Sequence, residues 1–172
     1  VWLAVSDAHQ GLVAAVQESF LGCSWQRCKV HFMRNILAHV PAKEKERFAA
    51  RLKQIWQQPD SKSARIYANH LIQEYAGQFP KAVETLENGL EDSLQYYEFP
   101  EIDARKISST NILERLNKEI RRRSRVVGIF PSMDSYIRLV CCYLLEYSDW
   151  QTSRCYIQKD IIEVISVKRL AA

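Results

Sequence analysis

The chain opens on Val1-Trp2-Leu3-Ala4-Val5, five residues without a charged or amide side chain, running directly into Ser6-Asp7. A strand with no polar position at every second residue cannot leave one face to water, so both faces need cover. This predicts a central strand of a sheet flanked by helices. Ser6 to Gly11 reads as the turn that follows it. Leu12, Val13, Val16 and Phe20 then recur at helical spacing, which predicts a helix over residues 11–20 with Gly22 just past its end. Trp25 to Phe32 alternates as a second strand, and Met33 to His39 begins another helix before Pro41. Strand, helix and strand in succession form the unit of an α/β fold.

Residues 42–100 have a different period. Phe48, Leu52, Ile55 and Trp56 repeat at threes and fours, as do Ala64, Tyr67, Ala68, Leu71, Ile72 and Tyr75, and a third helix is expected over 81–94. Pro59-Asp60-Ser61 separates the first two, with Asp60 or Ser61 placed to cap the second. Only five glycines and five prolines punctuate 172 residues, too few for a fold of many tight turns. Ser108-Ser109-Thr110 can cap a further helix running to about Arg123, and Pro131-Ser132 starts a last one carrying Ile137, Val140, Cys141, Leu144 and Leu145. The expected organisation is therefore a strand-helix-strand segment over 1–41, an all-helical insertion over 42–100, two helices over 101–150 and a loosely docked tail over 151–172.

Charge is concentrated rather than spread. The net charge of +4 hides six basic residues against one acid between Arg115 and Arg125, and eight acids against Lys81 between residues 74 and 103. Excess positive charge confined to eleven residues fits an element that faces a polyanion, or a solvated helix face. No apolar run approaches the roughly 18 residues that a membrane span needs. Five cysteines (Cys23, Cys28, Cys141, Cys142, Cys155) without a C-x-x-C pair favour a reduced, cytoplasmic setting over a disulfide scaffold.

Three constellations could carry chemistry. Asp7 lies at the carboxyl end of the first strand, where ligands of open α/β sheets gather and where a carboxylate suits a metal; the plainer alternative is an acidic helix cap. Glu114 lies on a polar helix face between Asn111 and Lys118, either as a functional acid or as the partner of Lys118 four residues on. Cys28 and His31 form C-x-x-H at the end of the second strand. No second pair stands at zinc-finger spacing, and a core-facing cysteine beside a polar histidine is the structural alternative.

Together these pieces form one ordered pattern: Asp7-Ala8-His9-Gln10-Gly11-Leu12, then Cys28-x-x-His31, then Ser109-Thr110-Asn111-x-x-Glu114-Arg115-Leu116-Asn117-x-Glu119-Ile120-Arg121-Arg122-Arg123, continuing into Arg125-Val126-Val127-Gly128-Ile129-Phe130-Pro131. This resembles the catalytic region of Mutator-type bacterial insertion-sequence transposases, members of the DDE class, over about residues 1–150. The stretch from Ser109 to Pro131 is the specific part. Ala104-Arg105-Lys106 departs from the family, in which a tryptophan is common.

The resemblance implies a partial RNase H-like core with a helical insertion, mostly helical overall. It implies that Asp7 is the second catalytic aspartate and Glu114 the catalytic glutamate, both metal ligands, 107 positions apart because the insertion separates them. Cys28, His31 and Asn111 match the family signature near that site. The cofactor would be Mg²⁺ or Mn²⁺, in a two-metal site with ions about 3.5–4 Å apart. Arg115, Lys118, Arg121, Arg122, Arg123 and Arg125 would hold DNA phosphates. The partners would be element ends and target DNA, with a homo-oligomer in the full-length protein, associated with the bacterial nucleoid. The first aspartate has no match in this sequence, so the expectation is a truncated catalytic domain, inert alone. The alternative is a non-catalytic DNA-binding or assembly remnant of a decayed mobile element.

Overall fold

The computed structural model describes residues 1–152 and 156–170, which divide into two compact units, Val1–Thr110 and Asn111–Ala172. The first unit begins with β1 (Leu3–Ser6), α1 (Gln10–Ser19) and β2 (Ser24–Arg27). The strands pair in parallel, Leu3 opposite Ser24 and Ser6 opposite Arg27, with α1 as the crossover. Gly22, in the left-handed region at φ 76°, turns the chain out of α1 toward β2. The expected α/β unit is present, but β1 is not buried on both faces. All four of its residues are only half-buried and Val1 is 69% exposed. Among the described residues the sheet has two strands, so β1 is covered along one edge alone.

The end of β2 also differs from expectation. The alternation expected to continue to Phe32 stops at Arg27, and α2 (Lys29–Ala38) begins two residues later. Packing against the helical layer decides this. Cys28, Phe32, Ile36 and Val40, spaced by four, are all buried, as one face of a helix requires. Cys28 and His31 therefore stand at a helix start and not at a strand end.

Helices α3 (Ala42–Lys53), α4 (Ser61–Tyr75) and α5 (Pro80–Ser93) follow, with 3-10 turns at Gln54–Gln57 and Gln95–Glu98. Their apolar stripes close on α2 around Phe48, Leu52, Leu71 and Leu86. Phe48 meets Tyr75 edge-on at 4.8 Å and Phe79 at 5.6 Å, aromatic arrangements that add to simple burial. Asp60 caps α4: its carboxylate accepts the Ser63 N–H at 2.8 Å and the Ser63 hydroxyl at 2.9 Å, which draws the acid below its usual range.

The sheet is fastened to this layer by a buried amide. Gln26, fully buried, donates to the carbonyl oxygen of Ser93 (2.9 Å) and accepts from the backbone N–H of Tyr96 (2.8 Å). Ser93 in turn receives the Trp56 indole N–H at 3.1 Å. Next to Gln26, the Arg27 guanidinium lies 4.3 Å over the Phe32 ring. Gly89 permits this approach, since a Cβ there would stand 2.7 Å from the Phe32 ring and would also collide with the Arg27 guanidinium. The unit ends with α6 (Ala104–Ile107), capped by Asp103, whose side chain accepts the Arg105 N–H at 2.9 Å.

The second unit holds α7 (Asn111–Val127), α8 (Met133–Thr152) and α9 (Lys159–Leu170). Gly128, at φ 75°, ends α7, four residues beyond the expected stop at Arg123. Ser132 opens α8, its hydroxyl accepting the Ser135 N–H at 3.2 Å. Arg123 joins α7 to α8 by an ion pair with Glu146 at 3.1 Å and by lying 4.2 Å over the Tyr143 ring. Within the stretch expected to be a loosely docked tail, α9 is regular and buries Ile165. Cys155 lies outside the described residues; Cys23, Cys28, Cys141 and Cys142 are free thiols.

Candidate functional site

Asp7 follows directly on β1 and its side chain is exposed. The loop around it is held by a short relay: the Trp25 indole donates to the Ser6 hydroxyl (2.8 Å), which donates to the Asp7 carbonyl (2.8 Å). The cap position of α1 is taken by His9, so Asp7 is not the helix cap that an acid in this loop would ordinarily be. Its carboxylate accepts one long bond, from the His9 N–H at 3.3 Å. A strand end thus presents a carboxylate largely uncommitted to the fold's own hydrogen bonding.

Glu114 lies in the first turn of α7, exposed, three residues after Asn111, which starts the helix. A carboxylate there complements the helix dipole. Lys118, one turn on, makes no ion pair among the described residues.

Cys28 and His31 sit at the N-cap and in the first turn of α2. The Cys28 sulfur is fully buried and accepts two hydrogen bonds from Thr110, from the backbone N–H at 3.4 Å and from the hydroxyl at 3.3 Å. Beside it, burial lowers the Lys29 ammonium pKa, against the opposing pull of Cys28 and Asp103. Among the described residues no three His, Cys, Asp or Glu side chains group as a metal site. Thr110, which the sequence offers only as a possible cap, proves to be the partner of Cys28. Its place inside the Ser109-Thr110-Asn111 signature is the one clue that the sequence holds.

The six cations of α7 fall into two sets. Arg122 and Arg123 both contact Glu119, at 2.7 and 3.4 Å, and Arg123 also holds Glu146. The Arg122 guanidinium pulls the Glu119 carboxyl down to about 2. Arg115, Lys118, Arg121 and Arg125 carry no ion pair among the described residues and border one open groove of the helix, together with Glu114, Asn117, Glu119 and Arg122. Spacings of three and four residues keep such side chains on neighbouring rows of a helix.

This pattern of residues matches the family described as Transposase, Mutator family, over residues 1–153. The chain belongs to the Mutator family of transposases. It is 42% identical over 162 residues to the transposase for insertion sequence element IS256 in transposon Tn4001 of Staphylococcus aureus, covering 92% of this chain and 41% of that one. It is 37% identical to the transposase for ISRM5 of Rhizobium meliloti, covering 93% of this chain and 40% of the relative. The transposase for IS1081 of Mycobacterium tuberculosis is also 37% identical, with 94% and 39% covered. The chain thus spans about two fifths of the length of these Mutator-family relatives. Among the described residues, no helix is long and apolar enough to cross a membrane.

Proposed function

We propose that this chain is part of the catalytic domain of a DDE-type DNA transposase, built on an RNase H-like core, with Asp7 and Glu114 as two of its acids. The observation that carries the reading is the placement of Asp7: an exposed carboxylate at the carboxyl end of a parallel strand, clear of the helix cap, in a chain of the Mutator transposase family.

Both acids are exposed and offer hard oxygen donors, the chemistry that Mg²⁺ or Mn²⁺ prefers. When bound, two such ions would raise the acidity of the attacking hydroxyl and neutralise the departing oxygen. The residues of this chain do the rest. Asp7 and Glu114 supply negative charge to the centre; Arg115, Lys118, Arg121 and Arg125 neutralise backbone phosphates, with Arg122 and Arg123 available after exchange of their internal partners. In the reaction a water or 3′-hydroxyl oxygen bonds to phosphorus as the P–O3′ bond breaks. The nucleophile releases its proton and the departing 3′ oxygen gains one.

The substrates are the element ends and target DNA, the full-length protein works as a homo-oligomer on the nucleoid, and this 172-residue piece is inert alone. The test is Asp7→Asn and Glu114→Gln in the full-length transposase. Each should abolish excision of a donor element while DNA binding stays within about twofold, because the amide keeps the shape and loses the charge. Full excision by either variant would overturn the assignment of that acid, whereas an unsubstituted full-length protein that binds DNA and excises nothing would leave a DNA-binding or assembly remnant as the reading.

A further inference from the structure

We infer that Cys28 is a positioning residue for the proposed reaction, acting through Thr110. Three sets of hydrogen bonds meet at Cys28 and the peptide that follows it. The Cys28 N–H donates to the Ser6 carbonyl at 2.7 Å, which fixes the end of β1 one residue before Asp7. The Lys29 N–H donates to the Ser108 carbonyl at 3.0 Å. The Cys28 sulfur accepts both donors of Thr110. Cys28 and Ser108 have no solvent exposure, so water cannot readily replace these bonds.

Ser6 immediately precedes Asp7, and Thr110 immediately precedes α7, whose first turn carries Glu114. A single buried residue therefore tethers the backbone next to one acid and the backbone from which the helix of the other departs. Sulfur suits this role because it is large enough to accept two donors at 3.3–3.4 Å, which the shorter reach of a serine oxygen would meet less well. The tether matters because a displacement of about 1 Å in a reacting constellation can cost on the order of 100-fold in rate. The catalytic part of this inference rests on the reading of Asp7 and Glu114 as acids; the tether itself does not.

The experiment uses the full-length transposase with Cys28→Ala, Cys28→Ser and Thr110→Val, and with Val83→Ala as a core variant that leaves the tether intact. Cys28→Ala should lower kcat for donor-end cleavage by about 10–100-fold with KM for DNA within about twofold. Cys28→Ser should recover part of that loss. Cys28→Ala and Thr110→Val combined should lose little more than Cys28→Ala alone. Val83→Ala should keep kcat at a temperature where all variants are folded. Amide exchange at residues 108–112 supplies a readout independent of activity, rising at least about tenfold in Cys28→Ala and unchanged in Val83→Ala. Unchanged exchange in Cys28→Ala overturns the tether. Faster exchange with unchanged kcat, in a protein that Asp7→Asn does inactivate, overturns the catalytic role. Activity surviving in Asp7→Asn would strike the functional reading alone.

Discussion

The two units hold themselves together by different means. In Val1–Thr110, four helices close on a continuous aromatic and aliphatic core, with Phe32, Phe48, Leu52 and Leu86 almost wholly removed from water. In Asn111–Ala172, Tyr143 and Ile165 are the buried apolar residues among those described, while Val126, Ile129 and Leu170 are 80%, 91% and 78% exposed. The second unit carries instead a dense set of charges, several of them tied to one another. Burial is non-directional and strong, whereas exposed ion pairs contribute about 0–1 kcal/mol and weaken in salt. The difference amounts to a division of labour: the helical layer supplies stability, while α7, the element richest in cations, buries none of its residues.

This contrast can be broken by comparing like substitutions in each unit. Phe48→Ala should cost about 3–5 kcal/mol by denaturant unfolding, against less than about 0.5 for Leu145→Ala, which is 66% exposed. Equal costs would show that the second unit has a core of its own. Gln26→Leu should cost about 2–3 kcal/mol, since the Ser93 carbonyl and the Tyr96 N–H would be left buried without a partner. A neutral outcome would mean that the sheet is not fastened through this amide. Gly89→Ala should cost about 1–2 kcal/mol, the collision with Phe32 outweighing the better helix propensity of alanine.

Smaller effects sharpen the second half of the contrast. Replacing Arg115, Lys118, Arg121 or Arg125 singly with alanine should flatten the slope of log affinity for duplex DNA against log salt by about 0.9 each. Arg123→Ala should flatten it less and lower the melting temperature more, because its guanidinium is engaged by Glu119, Glu146 and Tyr143. Identical slopes for all five variants would erase the distinction between the two sets of cations. The smallest effect concerns pH. The folded Glu119 carboxyl is held at about 2 by Arg122, below the ordinary value. Its stabilising contribution is therefore present above about pH 4.5 and lost as pH falls toward 2. Glu119→Gln should remove that part of the acid dependence, and more visibly at low salt than at high; an acid titration superimposable on the parent protein would dismiss the pair as a contributor.

How much of the molecule is legible in its sequence follows from the range of the forces involved. The helices over 42–94 are readable because Phe48, Leu52, Ala64, Ala68 and Leu71 carry their burial as a local period, and Asp60 announces its cap within three residues. The parallel strand pair is readable from the strand-helix-strand pattern around Gly22. The start of α2 is not, because Trp25 to Phe32 fits alternation nearly as well as helical spacing; the competing signal is the four-residue interval through Cys28, Phe32, Ile36 and Val40. At the candidate site, Asp7, Glu114 and the basic run are proposed from the family resemblance that their order along the chain carries. The Cys28–Thr110 contact cannot, since the two lie 82 positions apart. The burial of Gln26 is likewise hidden, because its partners lie 67 and 70 positions away.

That distance has a consequence for how the molecule folds. Long loops must close before the Gln26 amide gains anything, so its bonds belong to a late step, after the locally connected helices have met. Gln26→Leu should then speed unfolding while leaving the refolding rate close to that of the parent chain. In the native state the same ordering should run backwards, with amide exchange faster in β1 and β2 than in α2 to α5. On that expectation the proposed active-site acid rides on the last piece of the first unit to arrive and the first to leave.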